Sequence, residues 1–375
     1  MWLVRERTEV IAAKGILVDA REWIPGRMTG IGRMLAGCVD ALAASPLQPA
    51  LTLAVTNEEA IPERLKNRQG VARIKLPGTF LKSERALSGL TGEGFAAFIS
   101  PYPKLPLFGA RCPSVHTIHD VLDLTDTLYR HRIKTLFDKY RLRKALCRAD
   151  LSWYDSRWSM EETERLIGTV GKNPKVRHLG VDDRFDAACQ DRDSEVLGKY
   201  GLQAKGYILV VGNGLPHKNL GLLLNIAEHI PRKLLFVGVS KQNQGYWQQR
   251  YTTNRNIWLT QAAEEEMPAL LRNAFCLAQP SFAEGYGYPP LEAMACGTPA
   301  VVSSIAVLVE TTGGQALIAE PQNGQSWIEA FYRLENADLY RQQVAKGHQW
   351  VAHLKGRSGW QGHVADITEL IGSRS

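Results

Sequence analysis

Two glutamates late in the chain have the residue type and spacing that best fit enzyme chemistry. They lie in the segment SFAEGYGYPPLEAMACGTP, which begins at Ser281 and contains Glu284 and Glu292. Pro289 and Pro290 cannot lie inside a helix but suit its first turn, so a helix is predicted to begin there, with Glu284 in the preceding loop and Glu292 in the first turn. Both carboxylates can accept hydrogen bonds from sugar hydroxyls. Each glutamate taken alone also fits a structural role.

The glycines between these glutamates favour an anionic ligand. Gly285 and Gly287 flank Tyr286 and allow backbone N–H groups to approach a ligand closely. A helix N-terminus that follows such a loop is a ready site for an anion such as a diphosphate. The segment therefore predicts a diphosphate bound beside two carboxylates.

Three further groups of candidate residues follow predicted strands. They are the turn Gly212–Lys218 with Asn213 and Lys218 after strand 207–211, the pair His119 and Asp120 after strand 114–118, and the loop Gly30-Ile-Gly32-Arg33 after strand 15–19. Ligands of open parallel sheets bind at the carboxyl ends of the strands, which makes these residues candidates. An isolated lysine, histidine or glycine in such a place also fits an ordinary surface or packing role.

The sequence pattern predicts that two parallel sheets covered by helices position these residues. Short apolar runs alternate with longer amphipathic stretches, and the pattern restarts near residue 206. We predict an α/β protein with two Rossmann-like, doubly wound domains over residues 1–182 and 206–355, a linker over 183–205 and a ligand cleft between the domains. The predicted strands are 15–19, 51–55, 96–99, 114–118, 151–154, 207–211, 233–238, 257–259, 274–278 and 299–303.

The composition fits a globular protein with two cores and an anionic partner. The 375 residues are 45% apolar and 22% charged, and the chain is too long for one ordinary core. Residues 1–180 carry 28 Lys and Arg against 19 Asp and Glu, whereas residues 181–375 carry 17 against 19. The basic half favours a membrane surface, a diphosphate or a nucleic acid, or is simply a basic surface. No nucleic-acid-binding motif accompanies the charge.

The start of the chain and the spacing of the cysteines indicate the cellular compartment. No apolar run reaches the roughly 18 residues that a membrane span needs, and charged residues occupy the start of the chain, where a signal peptide would be apolar. The six cysteines lie far apart, which indicates reduced, mostly buried side chains in a cytoplasmic protein.

The glutamate pair resembles the hallmark of glycosyltransferase family 4, in which two glutamates are separated by seven residues. The surrounding EGYGYPPLEAMACGTPAV is close to the usual family sequence. The resemblance implies a GT-B fold and a retaining transfer from a nucleotide diphosphate sugar. It implies that Glu284 contacts the donor sugar and Glu292 the nucleotide ribose. The C-terminal helix of this fold commonly returns to the first domain, and residues 356–375 are the candidates for it.

The resemblance covers most of the chain and implies further roles. Lys218 would neutralise the diphosphate, and Asn213 stands where many members have an arginine. His119 would hydrogen-bond a hydroxyl of the transferred sugar. The catalytic candidates are therefore Glu284, His119 and Lys218. The candidates for binding the donor are Gly30, Gly32, Gly212, Asn213, Lys218, Gly285, Tyr286, Gly287 and Glu292, and those on the acceptor side are Arg33 and Asp120.

The implied mechanism needs neither an enzymatic nucleophile nor a metal. The acceptor hydroxyl would attack the donor from the face that the diphosphate leaves, and the enzyme would supply positioning and electrostatic stabilisation. No acidic pair resembles a magnesium site, so no metal or other cofactor is predicted. Similarity to enzymes of O-antigen and exopolysaccharide assembly favours GDP-mannose or a related GDP-hexose as donor, with a UDP-hexose as the alternative.

Two alternatives from other classes stay open. An NAD-dependent oxidoreductase would also have twin Rossmann domains, but it should carry GxGxxG after its first strand, where this chain has Gly30-Ile-Gly32-Arg33. A non-catalytic nucleotide-sugar-binding protein is the other alternative.

A basic segment over residues 130–148 predicts where the acceptor is presented. Its cations are Arg130, Arg132, Lys134, Lys139, Arg141, Arg143, Lys144 and Arg148, against the single interior acid Asp138. Ile133, Leu136, Phe137 and Tyr140 fall on one helix face, which we predict to pack on the sheet. The opposite charges would hold the protein at the anionic inner face of the cytoplasmic membrane, where a polyprenyl-diphosphate-linked saccharide would serve as acceptor.

Overall fold

The computed structural model describes residues 15–26, 28–46, 48–125, 132–251 and 256–372, without the side chains of residues 123, 125 and 132–134. The chain folds into two compact units. The first comprises Met1–Gly180 and Gly356–Ser375, and the second comprises Val181–Lys355. Arg130 and the side chains of Arg132, Ile133 and Lys134 therefore lie outside the described residues.

The first unit is built on a seven-stranded parallel sheet in the order β3-β2-β1-β4-β5-β6-β7. The strands are β1 Ile16–Asp19, β2 Leu51–Val55, β3 Val71–Lys75, β4 Ala97–Ser100, β5 Ser114–Ile118, β6 Leu151–Tyr154 and β7 Pro174–Val176. The helices are α1 Gly30–Ala43, α2 Glu63–Lys66, α3 Phe80–Leu90, α4 Leu122–Thr125, α5 Arg132–Arg148 and α6 Arg157–Ile167. Every residue of β1, β2, β4, β5 and β6 is buried, as expected of strands covered on both faces.

The second unit repeats this architecture with a six-stranded parallel sheet in the order β10-β9-β8-β11-β12-β13. The strands are β8 Tyr207–Val211, β9 Lys233–Val237, β10 Asn256–Leu259, β11 Cys276–Gln279, β12 Ala300–Ser303 and β13 Leu317–Ala319. The helices are α7 Arg192–Tyr200, α8 Leu220–Asn225, α9 Lys241–Arg250, α10 Met267–Arg272, α11 Tyr288–Ala295, α12 Ala306–Thr311, α13 Gly324–Arg333 and α14 Ala337–Val351. Helix α15, Gln361–Gly372, belongs to the first unit.

Both sheets reverse direction at a defined strand pair. In each unit the chain winds from the first strand to one edge, returns, and adds the fourth strand on the other side of the first. The loops that leave the two central strands therefore diverge and open a crevice at their carboxyl ends. The predicted fold class of two doubly wound parallel sheets is confirmed.

The strands that the sequence pattern missed are β3, β7 and β13. All three lie at sheet edges. β3 and β7 are at most half-buried, and the middle residue of β13 is exposed. An edge strand has one neighbour instead of two, so it lacks the continuous apolar run that marks a central strand.

Helix α15 packs into the first unit through a buried carboxylate. Asp366 accepts hydrogen bonds from Trp153 Nε1 at 2.9 Å, Arg177 Nε at 2.8 Å and Arg177 Nη2 at 2.7 Å. Trp360, just before the helix, fits against two glycines. A Cβ at Gly37 would lie 2.5 Å from the indole, and one at Gly180 would collide with it. Residues 356–372 therefore belong to the first unit, as the family resemblance implied for the C-terminal helix.

The prediction of a linker over residues 183–205 is wrong. Residues 183–205 lie in the second unit and contain helix α7. Asp193 in this helix accepts from Arg272 Nη2 at 2.6 Å and Nε at 2.9 Å, and both side chains are 5% exposed. A buried ion pair this well hydrogen-bonded holds the segment on helix α10. Its polar composition concealed the pairing.

The predicted packing of helix α5 is also wrong. Leu136, Phe137 and Tyr140 are 69%, 48% and 61% exposed, and the residues of this helix that join the core are Leu142, Ala145 and Leu146. Leu142 and Leu146 pack in a cluster with residues of β5 and β6. The 17-residue helix carries two apolar stripes, and the C-terminal one is selected because it faces the sheet.

The cysteine prediction holds in part. Cys38, Cys276 and Cys296 are buried, Cys112 is half-buried, and Cys147 and Cys189 are exposed. All six are free. Burial raises the pKa of Cys38 and Cys296 to about 12, so these two behave as small apolar side chains.

Candidate active site

Two predicted catalytic residues meet at the switch point of the second sheet. Lys218 lies in the turn after β8, and Glu284 lies in the loop after β11, the strand beside β8. Lys218 Nζ donates to both carboxylate oxygens of Glu284 at 2.8 Å. The two side chains are 17% and 9% exposed. A turn lysine and a loop glutamate, 66 residues apart in the chain, therefore form one partly desolvated ion pair.

Backbone contacts fix the loops that carry this pair. The Asn219 side-chain amide donates to the carbonyls of Pro280 at 3.0 Å and Pro321 at 2.7 Å. The N–H of Phe282 donates to the carbonyl of His217 at 2.8 Å. Asn219 is left-handed with φ of 52°, a conformation that asparagine tolerates and that turns the chain from Lys218 into helix α8. These contacts join the turn that carries Lys218 to the loop that carries Glu284.

Two residues that the sequence analysis missed complete the surroundings of Glu284. Ser281 Oγ donates to its carboxylate at 2.5 Å, and the Gln279 side-chain amide donates to the same oxygen. Gln279 ends β11 and is buried with Ser281. A polar residue at the carboxyl end of a central strand is the signal that could have identified it. With Lys218, three side chains orient one carboxylate.

The helix after this loop begins one residue earlier than predicted. Tyr288 starts α11, because Gly287 has φ of +94° and cannot itself be helical. A Cβ at Gly287 would collide with Leu308 as well. Glu292 is thus the fifth helical residue and lies beyond the first turn, contrary to the prediction. It is 3% exposed.

The remaining donor candidates frame the same crevice. Gly285 is half-buried in the loop, and the buried Tyr286 packs edge-on against Tyr288 with ring centroids 5.3 Å apart. Gly212 contacts the aliphatic stem of Lys218, which a Cβ at this position would meet at 3.4 Å. The Asn213 side chain accepts from the N–H of Leu215 at 3.1 Å, and its carbonyl accepts from the Asn243 amide at 2.8 Å. In this structure Asn213 shapes the turn.

The third catalytic candidate, His119, lies in the first unit with both ring nitrogens engaged. Nδ1 is 2.5 Å from Asp155 Oδ2, and Nε2 is 2.9 Å from the carbonyl of Pro101. Neither oxygen has a proton to give, so the ring donates twice and is an imidazolium. Burial alone would lower the pKa of His119, but the Asp155 carboxylate and the Pro101 carbonyl raise it to about 8. A sugar hydroxyl could bond Nε2 only by replacing Pro101.

The predicted glycine loop of the first unit is the first turn of a helix. Thr29 caps α1 by accepting from the N–H of Gly32 at 2.9 Å, so Gly30, Gly32 and Arg33 are helical. Gly32 is buried, and a Cβ there would lie 3.1 Å from Met28 Sδ. The glycines were predicted to form a loop, but the Thr29 cap makes them part of the first helical turn.

A cavity of about 420 Å³ in the first unit joins several of these residues. His119 and Asp120 line it together with Tyr102, Lys104 and Arg141. Asp120 accepts from the N–H of Leu122 at 3.0 Å and so caps helix α4. Burial, followed by the nearby guanidinium of Arg141, lowers the pKa of Lys104. Tyr102 and Lys104 were missed, although they follow β4, the switch-point partner of β1.

The second unit is similar to a known family. Residues 194–350 match the family described as glycosyl transferases group 1. The matched residues lie within the second unit. The Lys218–Glu284 pair and the whole Gly212–Glu292 region lie inside them.

Known proteins similar to the chain include a curated relative and two solved structures. The O-antigen chain mannosyltransferase B of Escherichia coli is 29% identical over 220 residues, which cover 56% of this chain and 58% of the relative. The chain thus matches little more than half of that protein. Sucrose-phosphate synthase from Thermosynechococcus elongatus superposes with a TM-score of 0.77 at 17% identity and covers 96% of this chain and 100% of its own. Anabaena HepE in complex with UDP-glucose has a TM-score of 0.73 at 17% identity, with 96% and 99% covered.

The two solved structures show that the chain has the GT-B fold. Within the described ranges, no group of three or more His, Cys, Asp and Glu residues is arranged to hold a metal ion. Across the same residues, no helix is long and apolar enough to span a membrane.

Proposed function

We propose that the chain is a retaining, metal-independent glycosyltransferase that moves a hexose from a nucleotide diphosphate sugar to a saccharide acceptor. The observation that carries the proposal is the Lys218–Glu284 pair beside Gly287, at the crevice of the second sheet. The leaving diphosphate needs cationic stabilisation, and the sugar needs oriented hydrogen-bond acceptors. The pair supplies one of each within a few ångströms.

The mutual pairing implies how the donor would bind. Diphosphate oxygens would take the Lys218 ammonium, and sugar hydroxyls would donate to the Glu284 carboxylate in its place. Gln279 and Ser281 would continue to hold that carboxylate while the lysine turns. Glu292 would contact the ribose, and the backbone N–H groups beside Gly285 and Gly287 would contact the phosphates. The acceptor hydroxyl then attacks the anomeric carbon on the face that the diphosphate leaves. The bond between that carbon and the diphosphate oxygen breaks, and the departing oxygen accepts the hydroxyl proton.

The donor is proposed to be GDP-mannose or a related GDP-hexose. The E. coli relative named an O-antigen mannosyltransferase supports this choice. The HepE structure with UDP-glucose supports the UDP-hexose alternative. A thermal-shift comparison decides between them: a nucleotide at 100 times its Kd stabilises the protein by about 2.7 kcal/mol. We expect a shift with GDP or UDP that EDTA leaves unchanged, and none with NAD; a shift with NAD alone would refute the proposal.

Variants of the ion pair test the assigned site. Glu284→Gln should keep the fold and reduce turnover by orders of magnitude, because the sugar loses its charged acceptor. Lys218→Ala should weaken nucleoside diphosphate binding more than nucleoside binding. The matched controls are Glu329→Gln and Lys233→Ala, which change exposed residues of the same unit away from the crevice. Near-normal turnover of both site variants would show that the site is elsewhere. NMR of the product should show the donor's anomeric configuration retained.

The acceptor is proposed to be a polyprenyl-diphosphate-linked saccharide at the inner face of the cytoplasmic membrane, where the protein binds peripherally. The corrected packing of helix α5 strengthens this part of the proposal. Leu136, Phe137 and Tyr140 are exposed, and Arg143 beside them is exposed too. Aromatic and aliphatic side chains flanked by cations suit an anionic lipid interface.

Liposome sedimentation tests the membrane proposal. We expect binding to anionic but not to neutral vesicles, and release by high salt. The triple variant Leu136→Ser, Phe137→Ser, Tyr140→Ser should reduce binding at low salt. Tyr332→Ser, which removes an exposed aromatic ring from the second unit, serves as control. Equal binding to both lipids, or none to either, would mean that the basic surface only aids solubility.

A further inference from the structure

A groove beside the loop that carries Glu284 has no role in the proposed chemistry. It encloses about 550 Å³ in the second unit, within the 300–1,000 Å³ usual for small-ligand sites. Helices α8 and α9, Phe282 and the segment 321–324 form its walls. Two large rings, Tyr246 and Phe282, line it while 45% and 46% exposed.

The floor of the groove is built on a buried tryptophan. Trp247 is buried and donates from Nε1 to the carbonyl of Gly214 at 3.0 Å, which ties helix α9 to the turn that carries Lys218. Tyr246 packs edge-on against Trp247, with ring centroids 5.0 Å apart. Helix α8 packs closely on these rings at Gly221, where a Cβ would lie 2.9 Å from Tyr251 Oη and 3.1 Å from Trp247. The exposed Tyr246 ring is therefore packed against a buried side chain.

Polar groups at the rim are suited to a neutral or weakly anionic ligand. The Arg250 guanidinium lies 3.7 Å from the centre of the Tyr246 ring and covers one of its faces. Asn225 and Gln322 add exposed amides, and no lining residue is acidic. Preformed aromatic faces edged by amide and guanidinium donors match a sugar ring, which has an apolar C–H face and a rim of hydroxyls.

We propose that this groove binds a hexose unit of a glycan, apart from the sugar that is transferred. The inference rests on the proposed glycosyltransferase function for its biological purpose. Phe282 connects the two sites, since it lines the groove two residues before Glu284 and donates its N–H to His217 next to Lys218. A glycan in the groove would hold the Lys218–Glu284 loops together and keep a growing saccharide near the site.

Saccharide binding to the full chain tests the inference without requiring turnover. The probes are linear tetrasaccharides of mannose, glucose and galactose, titrated by saturation-transfer NMR with and without saturating GDP or UDP. We expect at least one to bind the wild type. Tyr246→Ala and Arg250→Gln should each raise its Kd at least tenfold, whereas the control Tyr332→Ala, exposed elsewhere on the same unit, should not change it.

The outcomes separate this inference from the proposed function. If no tetrasaccharide binds, or if Tyr246→Ala and Arg250→Gln bind like the wild type, the groove is not a saccharide site. If GDP and UDP fail to bind while Tyr246→Ala still loses the saccharide, the groove stands and the transferase proposal fails. Should Tyr246→Ala unfold, Asn225→Trp fills the groove from its exposed rim and is expected to abolish saccharide binding with the same thermal melt as the wild type.

Discussion

At the scale of single residues, the side chains that carry chemistry are held by partners that have no recognisable motif. Glu284 is oriented by Gln279 and Ser281, and His119 is held by Asp155 and the Pro101 carbonyl. Each partner follows or ends a central parallel strand. The sequence indicates the reactive residue, whereas its protonation and direction come from neighbours brought close by the sheet.

We predict a pH-dependent contribution of His119 to stability. Its pKa of about 8 in the folded state exceeds the ordinary value of about 6.5. The charged ring therefore stabilises the fold fully below pH 6.5, and the contribution is lost as the pH rises through 8. A difference of this size corresponds to about 2 kcal/mol. Between pH 6 and pH 9, the free energy of unfolding of the wild type should fall by about that much more than that of His119→Gln.

Urea denaturation followed by tryptophan fluorescence measures this difference. The exposed His229→Gln variant is the control and should show the same pH dependence as the wild type. Parallel pH dependence in the wild type and His119→Gln would mean that His119 is neutral in the folded protein. The assignment of both ring nitrogens as donors would then be wrong.

At the scale of elements, helix α15 is joined to the first unit by Asp366. We predict that Asp366→Ala destabilises this unit by about 3 kcal/mol, because Trp153 Nε1 and Arg177 both lose their acceptor. Arg177 is 30% exposed and recovers some solvation, which keeps the loss below that of a fully buried pair. Chemical denaturation measures the change.

A surface ion pair gives the comparison for this variant. Asp338 pairs with Arg341 at 2.5 Å, but the side chains are 87% and 76% exposed. Asp338→Ala should therefore cost less than about 0.5 kcal/mol. Equal effects of the two substitutions would show that α15 contributes little to the first unit.

At the scale of the whole molecule, two units with separate sheets should respond separately to ligands and mutations. We predict two calorimetric transitions. Saturating GDP or UDP should raise only the transition of the second unit, which contains Lys218, Glu284 and Glu292. Asp366→Ala should lower only the other transition, and this assigns the peaks. A single transition moved by both changes would show that the units unfold as one.

The sequence by itself determined the fold class, the order of the central strands along the chain and the position of the glutamate region. Central parallel strands are buried on both faces, so each has a continuous apolar sequence such as Tyr207–Val211. A serine at a helix start is a further local signal: Ser156 caps helix α6 by accepting from the N–H of Ser159.

Tertiary structure alone decided the edge strands, the exposed stripe of α5 and the attachment of residues 183–205. In each case several solutions satisfy the local pattern. The sequence of β3 is polar because the strand has a neighbour on one side only. Helix α5 has two apolar stripes, and only one of them packs on the sheet. Asp193 looks like an ordinary surface acid in the sequence, and only the folded chain places Arg272 beside it. The pairing of Lys218 with Glu284 is of the same kind. Strand order in a parallel sheet brings distant loops together, and that order is a property of the folded chain as a whole.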